Sequence, residues 1–242
     1  MPRHKNLVLA HLWLAFGVFA VATVFGVWQM WVRSPLHAPY ENPQNYFLSV
    51  TAHGVSMAYV LTTFFVMGFG YFVAETALRQ ALPWAEGAWI GFWVAAAGAV
   101  MAALTILSGG ASVLYTFYPP LTASPFFYIG LVMVVVGSWI WCAIMIAAMA
   151  RWKRANPGQA VPLAMFATVA NAIMWLWTTA GVAVRAVVPG NPRGDRVDRY
   201  RRCWNVAHLV FLDLARDRLF LAASRLYRHL HDGTRSGRRA AL

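Results

Sequence analysis

Charged side chains are scarce in this chain. Asp, Glu, Lys and Arg together make up 12% of the residues, hydrophobic types make up 60%, and the mean hydropathy is +0.54. Long stretches carry no charge at all. This composition excludes a soluble domain and indicates an integral membrane protein.

Cysteine and the motifs of soluble enzymes are also scarce or missing. The two cysteines, Cys142 and Cys203, have no CxxC spacing and no second ligand nearby in sequence. A disulfide framework and a zinc site are therefore not supported, and both thiols are interpreted as structurally neutral. The sequence contains no phosphate loop, no GxGxxG and no GxSxG, so it offers no soluble catalytic motif.

Five apolar runs are long enough to cross a bilayer, since about 20 apolar residues span the hydrocarbon core as a helix. They lie at Leu7–Val32, Tyr46–Leu78, Gly87–Leu107, Phe126–Ala150 and Val161–Val184. The sequence therefore predicts an all-α membrane protein with five transmembrane helices.

Loop charge predicts the orientation of these helices. The positive residues of the N-terminus, Arg79 after the second run and the segment RWKRANPG after the fourth all lie on one side. The positive-inside rule assigns that side to the cytoplasm, so the N-terminus is expected to be cytoplasmic in a multi-pass protein.

The composition changes abruptly near residue 188, and we divide the chain into a five-helix region, 1–188, and a tail, 189–242. The tail holds twelve of the eighteen arginines and all five aspartates. Five spans would place it outside, which breaks the positive-inside rule. A basic arm for lipid or nucleic acid would be on the wrong side of the membrane. A disordered tail fits poorly, because Leu, Phe, Val and Tyr are frequent in it. We therefore interpret 189–242 as a non-native tail that is translated in a shifted reading frame.

A histidine inside the second run is the candidate functional residue. His53 stands in TAHGVSMAY, and an ionisable side chain at membrane depth is costly unless it has a partner or a function. A histidine bonded to a neighbouring helix is the simpler alternative. Three small neighbours (Ala52, Gly54 and Ser56) would let a large planar group approach, and four others share a helical face with His53 (Ser49, Val50, Met57 and Val60). His11, near the start of the first run, is expected to reach the headgroups.

These segments resemble a known family. TAHGVSMAY is similar to the second-helix motif of subunit I of the haem-copper oxidases, and VLYTFYPPL, Val113–Leu121, is similar to a loop of their b-family branch, the cytochrome ba-type oxidases. The stretch RWKRANPGQAVPL resembles that branch too. The resemblance covers about the first 188 residues and implies that His53 is an axial ligand of a low-spin b-type haem.

The resemblance implies a cytochrome c oxidase of a prokaryotic inner (plasma) membrane. Such an enzyme passes electrons from cytochrome c to dioxygen, pumps protons and works with a subunit II. It also implies a high-spin haem and a copper, held by further histidines of which one is followed four residues later by a cross-linked tyrosine. After His53 the chain has only His208, His229 and His231, none in a matching motif, so the chain alone is expected to be truncated and inactive.

Two alternatives to the oxidase stay open at this stage. One is a five-helix membrane protein without redox chemistry, such as a transporter or an assembly factor, and the other is a subunit like that of nitric oxide reductase. The shifted frame also makes a prediction about the tail. Read one base over, the codons from Ala207 onward permit HxIVYFWLLPAY, which resembles the family's copper-ligand helix.

Overall fold

The computed structural model describes residues 2–36, 43–117 and 121–187, with side chains up to residue 180. The predicted tail, 189–242, and the shifted frame proposed for it lie outside the described residues. Contacts divide the chain into two units, 1–149 and 150–242, and each is described here by itself.

Five long apolar helices are present in the described residues, which confirms the predicted membrane helices. They are α1 Lys5–Arg33, α2 Pro43–Leu78, α3 Ala85–Leu107, α4 Pro125–Ala155 and α5 Leu163–Val187. Helices suit a bilayer because they satisfy every backbone hydrogen bond internally. α2 and α4 both begin at a proline, which is favoured at the first helical position.

Helix α2 is not uniform along its length. It is α-helical over Pro43–Val55, π-helical over Ser56–Leu61 and α-helical again over Thr62–Leu78. A π segment has wider turns, with bonds from residue i to i+5, and such segments are frequent at functional sites. This one begins three residues after His53.

In the first unit, α1 packs along α2, and small residues bring α3 against α4. A Cβ on Gly91 would lie 3.2 Å from the Gly137 carbonyl oxygen, and one on Gly130 would lie 2.6 Å from that of Gly98. The two backbones are therefore almost in contact. Small residues at such crossings are typical of membrane bundles, where close packing replaces the hydrophobic effect as the cause of association.

The loop between α3 and α4 is closed at its base. Ser124 N–H donates to the Gly110 carbonyl at 2.7 Å and Ser112 N–H donates to the Thr122 carbonyl at 3.3 Å, around an isolated bridge between Ala111 and Ala123. Apolar loop residues then join a core cluster with α2, α3 and α4, whose buried members are Ala52, Val55, Ala102, Ile106, Ala111, Val113 and Phe127.

In the second unit, the end of α4 leads to α5 through a short turn. The Asn156 side chain donates to the Trp152 carbonyl at 2.9 Å, and Gly158 takes a φ of 80° that L side chains rarely adopt. Phe166 N–H donates to the Pro162 carbonyl at 3.0 Å, in the first turn of α5.

Candidate functional site

His53 lies on α2 with its imidazole directed at α1. It is half-buried, and its Nδ1 is 2.8 Å from the carbonyl oxygen of Ala22, a fully buried residue of α1. A Cβ on Gly26, one turn further along α1, would lie 3.0 Å from His53 Cε1. The ring therefore has a helix beside it, in agreement with the cost of leaving an imidazole in hydrocarbon.

The hydrogen bond to Ala22 fixes the tautomer of His53. A backbone carbonyl only accepts, so Nδ1 carries the proton and donates it. The neutral ring then has an unprotonated Nε2, to which the described residues offer no hydrogen bond. Binding one ring nitrogen to a backbone carbonyl is the usual way in which a metal-ligating histidine is oriented, because it sets the tautomer and raises the basicity of the other nitrogen.

Two further contacts hold α2 against α1 beyond His53. The Gln29 side chain, which is buried, donates to the Ser49 carbonyl at 3.1 Å. Arg33 donates to the Tyr46 hydroxyl, and its guanidinium carbon lies 5.2 Å from the centre of the Tyr46 ring. Together with the bond from His53 to Ala22, these contacts are spaced along the interface between α1 and α2. They fix the backbone that carries the imidazole.

The two motifs quoted from the sequence meet in space. Thr51 Oγ1 accepts a bond from Leu114 N–H at 2.9 Å, and the Tyr59 hydroxyl donates to the Tyr115 carbonyl at 2.9 Å. A Cβ on Gly54 would lie 2.9 Å from the Tyr115 ring. The described part of this loop, 113–117, thus packs on the helix segment that holds His53. The sequence identified both motifs but not their contact.

This contact corrects the predicted role of the small residues. Gly54 makes room for Tyr115, and Ala52 is buried in the core cluster with α3 and the loop, so neither leaves space for a planar group. The predicted face also assumed a regular α-helix, whereas Met57 and Val60 lie in the π segment. On the side of α1, Gly26 makes room for the imidazole itself, since a Cβ there would lie 3.0 Å from His53 Cε1.

The expectation for His11 was wrong. Its side chain is fully buried rather than directed to the headgroups. Nδ1 lies 2.8 Å from the Leu7 carbonyl, and the ring packs among Phe64, Tyr71 and Phe92. The reason is Gly68 of α2, where a Cβ would lie 2.8 Å from His11 Cβ, so the two helices close around the ring.

Sequence reasoning missed a contact between an imidazole and a carboxylate near the start of α1. Glu75 in α2 has a side chain that is 1% exposed, and its carboxylate lies 2.6 Å from His4 Nδ1. The His4 backbone N–H donates to the same carboxylate at 3.0 Å. A glutamate inside an apolar run was the available signal, but its partner is 71 residues away in sequence.

Cys142 is a buried free thiol in α4, and Cys203 lies outside the described residues. Within the described ranges, no group of three or more His, Cys, Asp and Glu side chains could hold a metal ion.

Comparison with known proteins gives concordant results. Residues 6–209 match the family described as Cytochrome C and Quinol oxidase polypeptide I. Cytochrome c oxidase subunit 1 of Thermus thermophilus is 33% identical over an alignment of 192 residues that covers 76% of this chain and 34% of that protein. The family match therefore extends past residue 188, into the predicted tail.

Solved structures agree with this result. A cryo-EM structure of a heme-copper terminal oxidase dimer is similar at a TM-score of 0.75 and 30% identity, covering 85% of this chain and 37% of that chain. This chain thus spans about a third of the length of the relatives it matches. With five apolar helices and a family match over most of its residues, the chain belongs to the family of subunit I of the haem-copper cytochrome c and quinol oxidases.

Proposed function

We propose that this chain is the N-terminal part of subunit I of a b-family cytochrome c oxidase, and that His53 Nε2 is an axial ligand of its low-spin b-type haem. The observation that carries the proposal is the hydrogen bond from His53 Nδ1 to the Ala22 carbonyl, 2.8 Å long. Because Nδ1 donates to this carbonyl, Nε2 keeps a lone pair in a fixed orientation, and it belongs to a histidine in a family motif.

The residues around His53 fit a haem on chemical grounds. Neutral imidazole is a common axial ligand of haem iron. When bound, the haem supplies a redox centre that accepts and passes on one electron at a time.

The protein's part is to hold the ligand still. Ala22 fixes the ring by its carbonyl, and Gly26 allows α1 to approach the ring closely. Gln29 ties the next turns of the two helices together. Because the imidazole cannot rotate without losing its bond to Ala22, little reorganisation is needed when iron binds.

The b-family assignment is supported by the VLYTFYPPL motif, whose described residues, 113–117, are bonded to α2 through Thr51 and Tyr59. In this proposal the loop lies outside, the N-terminus is cytoplasmic and the membrane is the inner membrane of a prokaryote. Membrane lipid surrounds the helices, and subunit II and cytochrome c are the partners of the intact enzyme. Family membership disfavours a five-helix protein without redox chemistry.

We propose that the chain, taken alone, binds at most the low-spin haem and reduces no oxygen. Among its histidines only His53 matches a ligand motif of the family, and a metal site with missing ligands loses geometry and affinity. The high-spin haem and the copper would need ligands from outside the described residues.

The experiment that tests this proposal is a haem titration of the purified chain in detergent, followed by the Soret absorption, with imidazole added as a second axial ligand. We expect saturable binding that His53→Ala removes and that His4→Ala leaves in place, because His4 precedes α1 and contacts Glu75 near the far end of α2. Equal binding by wild type and His53→Ala would contradict the site. Oxygen uptake with reduced cytochrome c should stay at background, and turnover at oxidase rates would contradict the proposed inactivity.

A further inference from the structure

His11 is enclosed by aromatic side chains in the interior of the first unit. Its ring centroid lies 4.8 Å from that of Phe92, 5.3 Å from that of Tyr71 and 5.9 Å from that of Phe64. The side chain is fully buried. A glycine at residue 68 makes this closeness possible. The imidazole of His11 therefore lies in aromatic surroundings, where its polar nitrogens need hydrogen-bond partners.

The hydrogen bonds of His11 leave one nitrogen unsatisfied. Nδ1 lies 2.8 Å from the Leu7 carbonyl and donates to it, so the neutral ring has a bare Nε2 that can only accept. This buried Nε2 has no partner among the described residues. The phenylalanine faces cannot help, because an aromatic face accepts and does not donate. A buried acceptor without a partner has lost its hydrogen bonds to water and gained none in return, which destabilises the fold.

Two unsatisfied donors lie nearby, one on Tyr71, whose ring packs against His11, and one on Trp141, whose indole packs against the residue before Tyr71. Tyr71 meets His11 edge to face, and its buried hydroxyl has no partner among the described residues. The indole of Trp141 in α4 packs on Gly70, the residue before Tyr71, and a Cβ there would lie 2.9 Å from Trp141 Nε1. That Nε1 is also buried without a partner in the described part of the chain.

The three orphan groups are complementary in type. His11 Nε2 is an acceptor, Trp141 Nε1 is a donor and the Tyr71 hydroxyl is both. We propose that His11, Tyr71 and Trp141, from α1, α2 and α4, form a binding site for internal water. A water molecule there donates to Nε2 and accepts from the hydroxyl or the indole, which gives it the two to four bonds that buried waters make.

Other ligands fit these groups less well. A metal ion would need several converging donors, and the described residues contain no such group. An apolar ligand would leave all three polar atoms unsatisfied. The water site is independent of the haem proposal, since it uses none of the contacts of His53.

Solid-state NMR on the full chain in lipid bilayers tests the proposal directly. With ¹⁵N-labelled histidine, the signal of His11 Nε2 is assigned by its loss in His11→Phe, or by sequential backbone assignment if that variant does not fold. Magnetisation is then transferred from water protons to nitrogen. We expect a water cross-peak at the unprotonated Nε2 of His11 in the wild type.

A pair of tyrosine variants provides the control. Tyr71→Phe removes a partner of the water and should weaken the cross-peak and shift the Nε2 signal. Tyr59→Phe removes a hydroxyl that donates to the Tyr115 carbonyl, and it should leave both unchanged. Absence of water transfer to Nε2 in the wild type overturns the proposal, and so does a signal that Tyr71→Phe does not alter.

Discussion

Replacing Gly26 by alanine should weaken haem binding without unfolding the protein. The new Cβ would lie 3.0 Å from His53 Cε1 and 3.2 Å from Nδ1. Carbon atoms in good contact are about 3.5–4.0 Å apart, so the imidazole or α1 must move by roughly 0.5 Å. Either movement strains the 2.8 Å bond between Nδ1 and the Ala22 carbonyl.

The expected change in the free energy of unfolding is smaller than the expected change in haem affinity. Alanine favours a helix over glycine by about 1 kcal/mol, and weakening one hydrogen bond costs about 0.5–1.5 kcal/mol. The net change in the free energy of unfolding is therefore close to zero. Losing an outer contact of a metal ligand, in contrast, typically reduces metal affinity about 10–100-fold.

The assay is the Soret titration, run on Gly26→Ala beside Gly17→Ala. Gly17 lies in the same helix with no atom within 4 Å of an added Cβ, so its substitution changes helix propensity alone. We expect the affinity of Gly26→Ala for haem to fall and that of Gly17→Ala to match the wild type. If Gly26→Ala binds haem as the wild type does, α1 does not orient the His53 ring.

Three other predictions follow from the packing and the codons. Thr51→Val deprives Leu114 N–H of its acceptor and should lower the free energy of unfolding, measured by thermal denaturation, by about 1–3 kcal/mol. Thr62→Val loses only a bond within its own helix and should change the free energy of unfolding little. Gly98→Ala places a Cβ 2.6 Å from Met133 Cβ and should destabilise the protein by about 1–3 kcal/mol through overpacking. In the control variant Gly87→Ala, the new Cβ lies 3.7 Å from its nearest neighbour, and stability should not fall. Equal effects of the two substitutions would contradict the close approach of α3 and α4. Sequencing the gene from codon 184 to the end of the tail should reveal a shifted frame, and an intact frame whose codons do not spell HxIVYFWLLPAY one base over would refute it.

The helices of this protein could be predicted because each is encoded locally. An uncharged run long enough to cross a bilayer has few structures available other than a helix. The predicted Gly87–Leu107 therefore corresponds to Ala85–Leu107 in the structure. His53 could likewise be singled out, since an ionisable residue inside such a run is rare.

The contacts between helices could not be predicted in the same way. Periodicity tells which residues share a face but not which helix lies opposite, so His11 was expected at the headgroups although Gly68 and three aromatic rings enclose it. The π segment, Ser56–Leu61, shifts the face after His53 and has no signature in the local sequence. Glu75 was overlooked because its partner, His4, belongs to another helix end.

The central claim is that His53 Nε2 binds the haem iron, and pulsed electron paramagnetic resonance tests it most directly. The chain is produced with ¹⁵N-labelled histidine, loaded with ferric haem and measured for the hyperfine coupling between the iron and nitrogen. We expect one strongly coupled ¹⁵N in the wild type and in His4→Ala, and its loss in His53→Met. A coupled ¹⁵N that persists in His53→Met, or no coupled histidine nitrogen in the wild type, would contradict the claim.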